Sequence, residues 1–338
     1  MKSKTLITIC AALAVLVLGV ALGSVWIPPV NIINIIRNKA FGFDITDIVD
    51  DSSIAIVWTL RLPRSLLAFI VGAALSVSGV VMQSVLRNPL ASSYTLGVSS
   101  GASLGACIIL LYGVAIPGLS FMTLPLTGFV FGLGTILLSV AFASRIDVQM
   151  QNNTIILTGM VFSLFVNAIT TILSAMSREH LQRLLFWQMG SFSARGWSPV
   201  YILVPIVLAG SFYILHYNRE LDMMTFGEEQ AMAMGVDIKR VKWILLIVGA
   251  ALTGCAVAFV GVIGFVDLVA PHVVRKLFGS AHKRVIPMSM LFGGAFMVIC
   301  DLAARTVVSP SELPVGAVTA IIGAPFFAYI YFRKKEEA

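Results

Sequence analysis

Apolar residues run through this chain in blocks of about 20, the length an α-helix needs to cross a hydrocarbon layer roughly 30 Å thick. About ten such blocks fit, near 6–26, 62–86, 95–114, 122–143, 153–175, 199–217, 243–260, 262–278, 286–307 and 314–332. Polar residues between them come in short groups, so the expected architecture is an all-α integral membrane protein of ten transmembrane helices. No low-complexity tract or long polar linker divides it, and a single domain over 1–338 is expected.

Two connections are long enough to carry structure of their own. Residues 27–60 open with Pro28 and Pro29 and continue with Ile32, Ile33, Ile35 and Ile36, a pattern that predicts a short interfacial helix. The acidic group that follows, Asp44, Asp47, Asp50 and Asp51, reads as solvated loop. Residues 218–242 contain GEEQAMAMGVDIKRVK, in which Ala231, Met234, Ile238 and Val241 recur at helical spacing around Gly235. Glu228 and Glu229 at its start and Lys239, Arg240 and Lys242 near its end complement a helix dipole. A surface helix with one apolar stripe is expected, resting on lipid headgroups or docked in a partner's groove.

Charge then orients the bundle. An even number of spans puts both termini on one side, and Lys2, Lys4, Arg87, Arg145, Arg219, Lys239, Arg240, Lys242, Arg275, Lys276, Lys283, Arg284, Arg333, Lys334 and Lys335 fall there with the 218–242 connection. The remaining eight of the 23 Lys and Arg fall opposite, so the first side is the cytoplasm by the positive-inside rule. Dispersed over many short loops, the net charge of +7 is explained by topology and not by nucleic acid. A composition 58% hydrophobic and 12% charged excludes a soluble domain. Lys2 and Lys4 ahead of an apolar run also resemble a signal peptide with cleavage near Ala21 to Gly23, but Leu6 to Trp26 exceeds the usual apolar core, so a retained first span is expected.

Candidate chemistry is sparse. Cys10, Cys107, Cys255 and Cys300 lie within spans and read as small apolar core residues. His180, His216, His272 and His282 are scattered, with no two sharing a helix face, and no phosphate-cradling Gly-rich loop ending in Lys and Ser/Thr is present. No cofactor is therefore expected on this chain, and any energy source would come from a partner or an ion gradient. Charges inside spans are costly, which singles out Asp267 beside Gly264 and Pro271, and Asp301, four residues before Arg305 and read as its helical partner. Small residues in Gly97 to Gly105 and Gly316 to Gly323 predict close helix packing.

Four stretches carry more than composition: RLPRSLLAFIVGAALSVSGVVMQSVLRNPLASSYTLGVSSGASLGA from Arg61, GEEQAMAMGV from Gly227, GFVDLVAPHVVRKL from Gly264 and ELPVGAVTAIIGAPFFAYI from Glu312. In order and spacing they resemble the iron-siderophore and cobalamin permease family of ABC importers. The resemblance implies a type II importer permease bundle that pairs with a second permease, identical or homologous, over two cytoplasmic ATP-binding subunits, with an extracytoplasmic binding protein, in a bacterial cytoplasmic membrane. It implies ATPase coupling through Gly227, Glu228, Glu229, Ala231, Met234, Gly235 and Ile238, and binding-protein docking on Arg61, Arg64 and Arg305. Pathway or gating candidates on the same motifs are Gly97, Ser99, Ser100, Asp267, Pro271, Glu312 and Pro314. Ser93 and Asp267 depart from the proline and glycine more usual in the resembled motifs. The implied cargo is a metal chelate, first an iron-siderophore, with haem, cobalamin and molybdate as alternatives. A lone ion-coupled carrier is the competing class, and the absence of a catalytic constellation argues against a membrane enzyme.

Overall fold

The computed structural model describes residues 2–23, 26–43, 49–176 and 178–336, and their regular structure is all helical, with no strand among them. The chain runs α1 (Lys2–Ala21), α2 (Pro29–Phe41), α3 (Asp51–Ala55), a π-helical turn (Ile56–Arg61), α4 (Leu62–Val85), α5 (Val98–Tyr112), α6 (Ser120–Ile146) and α7 (Asn152–Met176). It continues through α8 (Arg178–Gln188), α9 (Ser198–His216), α10 (Asn218–Thr225), α11 (Glu228–Ala233), α12 (Ile238–Val260), α13 (Val266–Phe278), α14 (His282–Thr306) and α15 (Val315–Glu336).

Seven helical stretches are long and apolar enough to cross a membrane: α1, the continuous run Asp51–Val85, α6, α7, α9, α12 and α14. At the other three expected positions stand α5, α13 and α15, of which α5 and the Val315–Tyr329 part of α15 are shorter apolar stretches. Thirteen residues of α13 rise about 20 Å, less than the hydrocarbon thickness.

Helix α4 is the axis of the molecule, packed against α14, α12, α13 and α9 and buried over most of its length. Small residues allow this. A Cβ on Gly72 would lie 2.2 Å from the Gly293 carbonyl oxygen of α14, so the two backbones meet where neither has a side chain. The expected close packing of Gly97 to Gly105 is of the same kind, since a Cβ on Gly101 would lie 2.4 Å from the Phe131 carbonyl oxygen of α6.

Several local readings change. The helix in 27–60 starts at Pro29 as its sequence predicts, but Ile32 and Ile35 face Val20, Ala21, Ile27 and Val57 of the protein itself. Asp50 is no mere loop residue: its carboxylate accepts from the Ser53 N–H at 3.0 Å and caps α3. Asp44 and Asp47 lie outside the described residues. The surface helix expected over 227–242 is two helices, α11 and the start of α12, parted at Gly235. Cys107 and Cys300 are buried as expected, whereas Cys10 is exposed. Helix α8 fills a connection in which the hydrophobic pattern predicts no element.

Candidate functional site

Three places gather the residues singled out by the sequence: the two ends of the bundle and a node between them.

At one end, α10 and α11 project as a small knob. Helix α11 stops in a Schellman motif: the Gly235 N–H donates to the Met232 carbonyl at 2.9 Å and the Val236 N–H to that of Ala231 at 3.0 Å. Gly235, at φ +89°, supplies the left-handed residue the motif requires. The anticipated apolar stripe is therefore split. Ala231, Ile238 and Val241 are buried in the protein's own core, while Phe226, Met232 and Met234 stand 71%, 54% and 51% exposed. These three are the exposed apolar side chains of the knob. Sequence reasoning missed Phe226 and Met232, which fall off the single-helix period once the helix breaks.

The knob is anchored from beneath. Lys242, completely buried, donates through Nζ to the Met150 carbonyl at 2.7 Å and pairs with Glu228 at 2.8 Å. Two carbon stems and one ion pair thus tie α11 to α12 and to the α6–α7 connection. That connection is itself closed by Asp147, which accepts from the N–H groups of Gln149 and Gln151 at 2.9 and 2.8 Å. The carboxyl of Asp147 is held below its ordinary value chiefly by the Gln151 bond. Glu229 and Gly227 line a groove of about 530 Å³ that Arg87 and Gln151 to Asn153 complete.

At the opposite end Arg61, Arg64 and Arg305 do come together, but turned inward. Arg61 ends the π-helical turn and donates to the carbonyls of Val20 and Ala21 at 3.2 and 3.0 Å. Arg64 grips Asp301, with Nε and Nη2 donating to Oδ1 at 2.9 and 2.8 Å, and reaches Glu312 at 2.7 Å. Arg305 donates to the Gly19 carbonyl and lies 3.7 Å from Asp301. The helical pair Asp301–Arg305 exists, yet Arg64, distant in sequence, is the closer partner. Glu312, 38% exposed, is the accessible acid of the group. Burial raises the Glu312 carboxyl, but the Arg64 bond and charge outweigh it, so it sits below the ordinary carboxylate range.

Between the ends lies a break in the helical backbone. Gly261 at φ +82° ends α12 and Phe265 at φ +70° starts α13, leaving 261–265 non-helical at the depth of the spans. Irregular backbone there must be satisfied by protein. The Tyr94 hydroxyl donates to the Ile263 carbonyl at 2.7 Å, and the Ser191 N–H to that of Val260 at 2.8 Å. Within α13, Pro271 has no N–H to offer the Asp267 carbonyl four residues earlier. Gln83 of α4 replaces it, its Nε2 donating to the carbonyls of Asp267 and Leu268 at 3.1 and 3.3 Å. Gly79 lets α4 come this close, since a Cβ there would lie 1.9 Å from the Asp267 carbonyl oxygen. The Asp267 side chain is buried, its Oδ2 accepts from the Ser92 hydroxyl, and its Oδ1 has no hydrogen-bond partner among the described residues. Gln83 and Ser92 were not singled out by the sequence. An in-helix proline, which orphans a carbonyl in a span, is the signal for a donor such as Gln83.

The remaining candidates stand at the starts of α5 and α15. Gly97, at φ +101°, caps the start of α5, and the Ser100 hydroxyl folds back to the Gly97 carbonyl at 3.0 Å. Ser99 is half-buried on the same turn. The Pro314 carbonyl receives the Ala317 N–H at 3.1 Å at the entry to α15.

A model of the FecCD transport family matches residues 10–333. An ABC transporter permease protein of Bacillus subtilis (strain 168), named as uncharacterized, is 41% identical over 320 residues, 94% of this chain and 90% of that one. The cobalamin import system permease protein of Halobacterium salinarum is 38% identical over 282 residues, 83% of this chain and 74% of its own. A solved structure described as a metal-chelate type ABC transporter in an inward-facing conformation superimposes with a TM-score of 0.85 at 29% identity, covering 98% of this chain and 100% of that one.

Proposed function

The chain belongs to the FecCD transport family of ABC permeases, and on that premise we propose that it is the membrane subunit through which an iron-siderophore enters a bacterial cell. Ten crossings are assigned to it, α5, α13 and α15 joining the seven long apolar stretches, with both termini and the α10–α11 knob in the cytoplasm. A second permease lies beside it, identical or homologous. Two ATP-binding subunits lie beneath, and the binding protein docks on the end closed by Arg61, Arg64 and Arg305.

The observation that carries this reading is the knob. Three exposed apolar side chains, Phe226, Met232 and Met234, stand on and to either side of a short helix pinned by the Lys242–Glu228 pair. Exposed apolar groups held that rigidly suit a partner's groove. Gly227, Glu228 and Glu229 shape the start of α11, Gly235 ends it, and Ala231 and Ile238 fix it to the core, leaving Met234 to enter the partner. Asp267, Pro271, Gly97, Ser99 and Ser100 form the movable node of the substrate path, and Glu312 and Pro314 lie at its outer mouth.

The test is uptake by the reconstituted complex of two permeases, two ATPases and binding protein, with a radiolabelled ferric siderophore as cargo and haemin, cobalamin and molybdate as competitors. ATP-dependent uptake displaced by unlabelled ferric siderophore alone supports the assignment. Displacement by another member of the panel reassigns the cargo, and uptake by the chain without ATPase subunits overturns the importer reading.

A further inference from the structure

Beneath the knob a file of polar side chains runs into the core. Asp222 of α10 accepts from the backbone N–H of His282 at 2.9 Å and stands 2.6 Å from Nδ1 of the same residue. A carboxylate has no proton to give, so Nδ1–H is the donor, and Nε2 shares a hydrogen bond with the Ser84 hydroxyl, 2.7 Å away in α4. Ser84 in turn accepts from Nη2 of Arg275 at 3.1 Å, and Nη1 of Arg275 donates to the Gln83 carboxamide oxygen. The other end of that carboxamide holds the Asp267 carbonyl freed by Pro271 and the neighbouring Leu268 carbonyl. Every step is a hydrogen bond between different helices, in the order α10, α14, α4, α13, α4, α13.

Resting on the permease reading above, we propose that Asp222, His282, Ser84, Arg275 and Gln83 form the positioning relay that passes movement of the ATPase-facing knob to the broken start of α13 at Asp267. Three physical features favour transmission over mere packing. The relay grips α13 at both ends, at Arg275 in its last turn and at Asp267 in its first, so displacing it moves the helix as a body. Its inner end is held by a side chain where the backbone has no bond of its own, and a bond of that kind can shift without unwinding a helix. Its outer end binds the first residue of α14, where a carboxylate is also favoured by the helix dipole. Asp222 is thus a hinge between knob and bundle, tied to α14 by two bonds and to α11 by a turn of chain.

Gly264 supplies a reporter, because a Cβ there meets nothing within 4 Å and its φ is not left-handed. In the reconstituted complex carrying Gly264→Cys, the rate of modification by a water-soluble thiol reagent is measured with ATP and orthovanadate and without nucleotide, above the background of the native cysteines. We expect the two rates to differ by about fivefold or more, and Asp222→Ala to bring their ratio close to one while ATP hydrolysis and the melting temperature of the complex are retained. Asp222→Asn, which still accepts from the His282 N–H, restores much of the ratio. Ser84→Ala, which removes the shared hydroxyl inside the relay, abolishes it and takes over as the test if Asp222→Ala does not assemble. A ratio unchanged in these variants overturns the relay, as does a ratio of one in the Gly264→Cys complex before any further change. Uptake by the unmutated complex reports separately on the permease reading.

Discussion

Gly235 has open space where a side chain would be, and its constraint is conformational: φ +89° inside a Schellman motif. Asn adopts this region more readily than other side chains, and β-branched residues resist it. Gly235→Asn should therefore leave assembly with the ATPase within about twofold of normal, whereas Gly235→Val should cost about 1–2 kcal/mol of local stability and lower ATP-driven uptake. Equal loss in both, measured as co-purification and uptake, would mean that the partner's groove closes on this position and that sterics decide. The sequence marks Gly235 as the interruption of an apolar stripe. It does not reveal that the stripe ends there, because the Met232 and Ala231 carbonyl bonds that stop α11 depend on a backbone angle and not on a residue pattern.

At the scale of elements, the membrane does most of the specifying. A span needs a continuous apolar run, so α1, α4, α6, α7, α9, α12 and α14 are legible, with errors at their ends. Breaks are not legible, because neighbours decide them. Helix α3 and the π-helical turn extend the second span back to Asp51, and the break at 261–265 is held by Tyr94 on Ile263 and by Ser191 on the adjoining Val260. Helix α11 depends on one such distant contact, and its two halves are unequal. Glu228→Ala strands a fully buried ammonium that retains the Met150 carbonyl, while Lys242→Met leaves a carboxylate 24% exposed that can turn to water. Stranding a buried charge costs about 3–5 kcal/mol, less here for the carbonyl bond that remains. Thermal unfolding of the purified chain should accordingly show Glu228→Ala the more destabilised of the two, and the reverse order would show that water reaches the Lys242 ammonium once Glu228 is gone.

For the whole molecule, the two ends of the bundle differ in how they present charge and apolar surface. The knob end exposes Phe226, Met232 and Met234. The other end hides three guanidiniums against two carboxylates and backbone carbonyls. Sequence spacing placed Arg61, Arg64 and Arg305 at that end, but partners 237 and 248 positions away from Arg64 are invisible to local pattern. Replacing all three arginines would dismantle the contacts that join α1, α4 and α14, so a docking test needs a residue whose loss leaves the fold standing. Glu312 qualifies, since Arg64 keeps its grip on Asp301 without it. If an acidic surface of the binding protein lands here, Glu312 opposes it, and Glu312→Gln raises the net charge of the cluster from +1 to +2. Exposed charge changes of this size are worth no more than about 1 kcal/mol, so docking should tighten by up to about fivefold, mainly through faster association, with a steeper decline as salt is raised. Because the Glu312 carboxyl lies below the ordinary carboxylate range, it is ionised throughout pH 6 to 8, and the difference between the two proteins should hold constant across that window. Binding kinetics against the purified binding protein at several salt concentrations decide it: weaker docking of Glu312→Gln would mean that the partner brings a cation to this end, with Glu312 as its acceptor.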